Sequence, residues 1–299
     1  MKYYQKYYET NLESVIDQKL DEKSIYLRSL IIKAIIGGGR GHIGPALSMV
    51  EIIRVLYDNF MKFKYNKIKW ELRDRYILSK GHGCLALYSV LAYKKFFEVE
   101  ELFNFCKYNS ILGGHPEVTI PGVEASTGAL GHGLPIGVGM AISLKNKKIN
   151  SKVFVHMGDG EINEGSIWEA ALSASKHQLN NLIVIIDYNK MQSAGPVKNI
   201  LNMEPLKSKW SSFGFNVYEC NGHDVLNIKE IFQKIYDDKG NAPKILIAHT
   251  IKGKGIKIAE NNAMAGGNMF MPKVFGYMNK TFIPIKSYYI KFLRIKLYI

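Results

Sequence analysis

Apolar positions along the chain follow two patterns. From Ser24 to Ile36 they return every three to four residues, the spacing of a helix with one buried face, and the run stops at Gly37-Gly38-Gly39. Pro45 opens a second helical stretch that runs to about Phe60, since proline is favoured in a first helical turn. Arg75–Leu78, Lys152–Met157, Leu182–Asp187, Phe215–Cys220 and Lys244–His249 read differently. They are short apolar runs, several rich in β-branched residues, and they predict buried strands. Helices are predicted between them: from the Ser79-Lys80-Gly81-His82-Gly83 segment through about Lys95, over Glu164–His177, and near Val225–Tyr236.

Strands that alternate with helices predict an α/β fold, a mainly parallel sheet with helices on both faces. In such a sheet, ligands bind beyond the carboxyl ends of the strands. Gly81, Gly158 and Gly222 each follow a predicted strand closely. No internal repeat and no low-complexity linker interrupts the pattern before about Asn261. The expected organisation is an N-terminal arm over residues 1–23, one domain over 24–260, and a tail over 261–299.

Composition narrows the class. At 299 residues with 47% hydrophobic and 22% charged residues, the chain resembles an ordinary soluble protein. No apolar run approaches the roughly 20 residues of a membrane helix. The N-terminus lacks the pattern of a signal peptide. Cys84, Cys106 and Cys220 are scattered without metal-like spacing, which fits reduced thiols in a cytoplasmic protein. The net charge of +14 is spread along the chain, with no nucleic-acid motif beside it. It reads as a solvated basic surface that would also suit anionic phosphate ligands.

The chemistry concentrates at two strand ends. The strand ending at Met157 runs into Gly158-Asp159-Gly160-Glu161, and the next strand delivers Asp187-Tyr188-Asn189. The glycines let backbone approach a bulky anion, and adjacent parallel strands would bring Asp159 and Asn189 together. One carboxylate and one amide oxygen suit Mg²⁺, which completes its shell with water and phosphate oxygens. A following helix N-terminus would face the phosphates.

This spacing resembles the thiamine diphosphate motif, and its surroundings resemble the transketolase family. Six stretches carry the likeness in family order: DRYILSKGHGCLALY from Asp74, GGHPE from Gly113, PGVEASTGALGHGL from Pro121, GDGEINEGSIWEAA from Gly158, LIVIIDYNKMQSAG from Leu182 and IAHTIKGKG from Ile247. The resemblance implies the thiamine diphosphate-binding fold. It further implies that Asp159, Asn189 and the main-chain carbonyl of Met191 hold Mg²⁺. Gly158, Gly160 and Lys252, within the Lys252-Gly253-Lys254-Gly255 loop, would contact the diphosphate. Gly128 and Leu130 would embrace the aminopyrimidine through backbone. Glu164 and Glu169 match two acidic residues beside the cofactor and the interface between chains. His42, His82 and His115 match active-site histidines, with His82 also against the cofactor. Neutral imidazoles can exchange protons with sugar hydroxyls near pH 7. His156, His177, His223 and His249 are expected to be structural.

The implied activity is transfer of a two-carbon ketol unit from a ketose, phosphorylated or not, to an aldose. The family's pyrimidine-binding domain, which carries the glutamate that activates the cofactor, has no counterpart in these 299 residues. The expected protein is therefore the N-terminal subunit of a split transketolase, working with a C-terminal partner subunit in a dimer or α2β2 heterotetramer. The alternatives are a thiamine-dependent synthase of specialised sugar biosynthesis and a non-catalytic paralogous subunit. The chain departs from the family at three further points, of which the second and third motivate the non-catalytic reading. His132 stands where the family has glutamine. Ala265 and Gly266 stand where it has a Trp-His pair. The segment Asn261–Ile299 has no acidic residue and six basic ones. This tail would either fray or dock on a partner, and membrane contact through it is not expected.

Overall fold

The structure is a computed structural model that describes residues 14–263. Five strands form one fully parallel sheet in the order β1-β2-β3-β5-β4. They are β1 (Arg75–Leu78), β2 (Val153–Gly158), β3 (Leu182–Tyr188), β4 (Asn216–Asn221) and β5 (Lys244–His249). β2, β3 and nearly all of β5 are buried, which explains why they read as continuous apolar runs rather than alternating ones.

The pleat sorts these strands between two cores. Phe154, Ile183, Ile185, Leu246 and Ala248 point to one face. There they join α1 (Glu22–Gly38), α2 (Ile43–Leu47), α3 (Val50–Val55), α4 (Cys84–Tyr93) and a later helix over Val225–Asp237. Val153, Val155, Met157, Val184, Ile186 and Ile247 point to the other, against α5 (Gly133–Asn146), α6 (Gly165–Lys176) and a short helix, Leu206–Ser212. With α7 at Val197–Ile200, the last two helices in the described chain are α8 (Leu206–Ser212) and α9 (Val225–Asp237). The expected parallel sheet with helices on both faces is thus the observed one.

Local chemistry sets the helix ends. Asp21 caps α1 by accepting from the Ser24 amide at 2.8 Å. Gly39 closes it in a left-handed conformation, φ 66°, its N–H on the Ile35 carbonyl. The helix therefore runs two residues into the predicted glycine stop. Those glycines are needed for contact: a Cβ on Gly37 would lie 2.0 Å from the Phe103 carbonyl oxygen.

The single helix predicted from Pro45 to Phe60 is broken. α2 ends at Leu47, Ser48 and Met49 form a turn, and α3 continues into one π-helical turn over Leu56–Phe60. The Ser48 hydroxyl lies 3.0 Å from the Pro45 carbonyl and 2.5 Å from the Asp187 carboxylate, which draws this turn onto the sheet end. α5 is absent from the sequence-based expectation, although Leu134, Val138, Ala141 and Leu144 are its buried stripe. Among the described residues, no helix is long and apolar enough to cross a membrane.

Candidate functional site at the strand ends

Pairing of β2 with β3 sets Gly158 opposite Asp187, so the residues just beyond both strands meet. Asp159 starts a 3₁₀ turn, Gly160–Asn163. Its carboxylate accepts from the Gly160 amide at 2.7 Å and the Lys190 amide at 2.5 Å. Asn189 lies beside it, its Oδ1 accepting from the Met191 amide at 3.1 Å and its Nδ2 donating to Asp187 at 3.2 Å. Both side chains are buried. Burial, then the nearby Asp187 charge, pushes the Asp159 carboxyl up to about 7. Among the described residues, no three His, Cys, Asp or Glu side chains converge as a metal cage. A cation here would draw on Asp159, the Asn189 amide and main-chain carbonyls, with the remaining ligands supplied by its anion and water.

Donors face these acceptors. The loop after β5 carries Lys252, whose Nζ makes a long 3.3 Å bond to the Gln192 carbonyl. Gln192 Nε2 is buried without a partner. The Gln192 side chain lies so close to Gly160 that a Cβ there would sit 3.0 Å from its Cγ. An ammonium, an orphaned amide and a side-chain-free turn lie beside a carboxylate, a set of groups that would cradle a diphosphate.

Three residues that sequence reasoning did not single out hold this cradle: Lys80, Glu161 and Asp187. Asp187 accepts from Lys80, Thr250, Ser48 and Asn189. Burial alone would raise its pKa, yet the Lys80 ammonium holds it well below the usual carboxylate range. Glu161, also buried, binds the Ser79 hydroxyl, the Gly131 amide at 3.0 Å and the Gly158 amide at 3.2 Å. It thereby joins the ends of β1 and β2 to the loop before α5. The signal for Lys80 and Glu161 was their place beside glycines at strand ends.

The predicted histidines gather at the end of β1. The His42 ring lies 5.8 Å from that of His82 and 6.2 Å from that of His115. Burial, then Lys80, lowers His82 to about 3. Burial, then His115 and Lys252, lowers His42. Both are neutral imidazoles at pH 7. Gly128 packs on His115: a Cβ there would approach the ring at 3.3 Å. The half-buried Leu130 follows. Gly131, φ 81°, leaves a hypothetical Cβ only 2.7 Å from the Glu164 Cβ. Glu164 itself is exposed at the N-cap of α6, and Glu169 is exposed farther along that helix. Of the histidines expected to be structural, His156 is buried in β2 with its Nδ1 2.9 Å from the Tyr76 hydroxyl. Ala265 and Gly266 lie outside the described residues.

A parallel sheet whose strand ends bring a buried carboxylate and a buried amide together, opposite a lysine loop, defines an α/β protein whose buried polar groups gather at the carboxyl end of the sheet. The comparisons with known proteins specify which. Residues 20–282 match the family described as transketolase, thiamine diphosphate binding domain. A subunit of the apulose-4-phosphate transketolase of Phocaeicola vulgatus is 40% identical over 246 residues, 82% of this chain and 87% of that protein. The 6-deoxy-6-sulfo-D-fructose transketolase subunit SqwG of a Clostridium species is 37% identical over 84% of this chain and 90% of that protein. The crystal structure of Campylobacter jejuni transketolase superposes with a TM-score of 0.78 at 32% identity, covering 82% of this chain. The present chain spans only 40% of that solved chain. The chain belongs to the transketolase family and corresponds to its N-terminal, thiamine diphosphate-binding half.

Proposed function

We propose that this chain is the cofactor-binding subunit of a two-chain transketolase, moving a two-carbon ketol unit from a ketose to an aldose. The observation that carries this is the meeting of Asp159 and Asn189 at adjacent strand ends, opposite Lys252 and beside three clustered histidines. Asp159, Asn189 and the Met191 carbonyl would hold Mg²⁺. Gly158, Gly160 and Lys252 would hold the diphosphate, and the Gly128 and Leu130 backbone the aminopyrimidine. When bound, thiamine diphosphate supplies the electron sink that lets a carbon–carbon bond next to a carbonyl break. The protein's part is orientation and proton handling. His42 and His82, neutral at pH 7, can accept a hydroxyl proton or donate a hydrogen bond, and His115 adds a third imidazole at the same mouth.

A C-terminal partner subunit would supply the rest of each active site in a dimer or α2β2 assembly. Glu164 and Glu169, both exposed, would lie at that interface. The relatives' names as subunits of transketolases support the two-chain reading. Those relatives are named for a sugar phosphate and a sulfo-sugar, and a chain of net charge +14 suits an anionic ketose. A role in specialised sugar metabolism therefore stands beside the standard one. We place the protein in the cytoplasm, with no nucleic-acid partner and no membrane contact through the tail.

The test is co-expression with a C-terminal-half partner, followed by calorimetry with thiamine diphosphate and Mg²⁺ and a ketol-transfer assay over phosphorylated and sulfonated ketoses. Cofactor binding with turnover supports the proposal. Cofactor binding without turnover, with any partner, would instead make the chain a non-catalytic subunit.

A further inference from the structure

A buried polar triad lies behind the Lys252 loop. Arg28 on α1, Glu51 on α3 and His223 in the turn after β4 are each at most 2% exposed. Arg28 grips Glu51 with both terminal nitrogens, at 2.5 and 3.0 Å. His223 Nδ1 lies 2.8 Å from the same carboxylate, on Oε2. The triad then reaches the loop at two points. The Ile251 amide donates to His223 Nε2 at 2.9 Å, and Arg28 Nε donates to the Lys254 carbonyl at 2.9 Å. These contacts flank Lys252 on both sides. Between them, the Gly253 amide donates to the Gly44 carbonyl at 3.1 Å, close in sequence to His42.

The geometry fixes the imidazole. A backbone amide can only donate, so Nε2 accepts and the proton sits on Nδ1, pointing at Glu51. Gly255 fits the same picture: its φ is 92°, and a Cβ there would lie 3.0 Å from Arg28 Nε. A buried ion pair adds little net stability over an apolar replacement of similar volume. What this one does add is a single position for a loop that follows the last strand.

We propose that Arg28, Glu51 and His223 are positioning residues that hold the Ile251–Gly255 loop so that Lys252 faces the diphosphate. The proposal rests on the reading of that loop as a diphosphate contact. None of the three touches the cofactor itself; they act through the loop backbone.

Two substitutions at one position separate the two links. His223→Asn reaches as far as Nδ1, keeping a donor for Glu51 and losing the acceptor for Ile251. His223→Gln reaches Nε2 and keeps that acceptor. Amide hydrogen exchange is measured on the full chain, and affinity for magnesium pyrophosphate and thiamine diphosphate on the chain with its partner. His223→Asn should speed exchange over Ile251–Gly255 and weaken both ligands about tenfold, with His223→Gln staying within about twofold of the parent, as for residues that orient a ligand from behind. Thermal midpoints are recorded alongside. A merely structural role would lower both midpoints alike and leave affinity of the folded protein unchanged; that result overturns the proposal. So does unchanged exchange in His223→Asn. Failure of the unsubstituted chain and partner to bind thiamine diphosphate would overturn the proposed function instead, and the exchange data would still decide whether His223 anchors the loop.

Discussion

Two side chains at the site show how one position can serve binding at the expense of stability, or the reverse. Asp159 is buried, and its carboxyl is pushed up to about 7 by burial and Asp187. Its charge therefore costs stability when no cation is present. Asp159→Asn should leave unfolding free energy within about 1 kcal/mol of the parent, or raise it, while abolishing Mg²⁺-dependent cofactor binding. Urea unfolding and calorimetry on one preparation check both halves. Lys80 is the opposite case. It neutralises Asp187 in the interior, so Lys80→Met strands a carboxylate that also holds Thr250, Ser48 and Asn189. A loss of about 3–5 kcal/mol is expected in urea unfolding. Asp159 and Asn189 were legible because glycines and strand ends frame them. Asp187 was read only as part of the Asp187-Tyr188-Asn189 strand end. Nothing local announces that its charge will be buried and paired with a residue 107 positions away.

At the scale of the element, two of the three glycines of α5 have opposite meaning. A Cβ on Gly137 would meet Val155 of β2 at 2.4 Å, whereas a Cβ on Gly139 meets nothing within 4 Å. Gly137→Ala should destabilise by about 1–3 kcal/mol through overpacking. Gly139→Ala should stabilise the isolated chain by about 0.5–1 kcal/mol, because alanine is the better helix former. Chemical denaturation of the two variants side by side tests the sign. β2, β3 and β5 were legible because burial on both faces leaves continuous apolar runs. α5 was obscured by its glycines, which break the usual helical signal while letting the helix lie close on β2. The break at Ser48 was hidden for another reason: it depends on Pro45 and on Asp187, and only the latter's fold-wide placement brings it near.

The whole molecule should be sensitive to acid. Burial lowers the pKa of His42, His82, His156, His223 and His249, with His82 and His156 reaching about 3. Below the ordinary value of 6.5, the unfolded chain binds protons that the folded chain refuses, so stability falls as pH falls. Asp74, Asp159 and Glu161, raised by burial, work in the opposite direction. The five histidines outnumber them, and self-repulsion at +14 adds to the loss. Unfolding free energy should drop by on the order of 1–3 kcal/mol between pH 7 and pH 5. A thermal midpoint that rises as the pH is lowered over that interval would contradict this account. The bond from Arg28 to the Lys254 carbonyl joins residues 226 positions apart. During synthesis, helix α1 leaves the ribosome long before its partner loop exists. Such distant closure slows folding, and a nascent chain halted before Ile251 carries Arg28, Glu51 and His223 but not the Lys252 loop they hold. With Lys252 in its proposed role, cofactor capture should wait until nearly the whole domain has been made, and thiamine diphosphate should stabilise only the finished protein rather than act as an early folding nucleus.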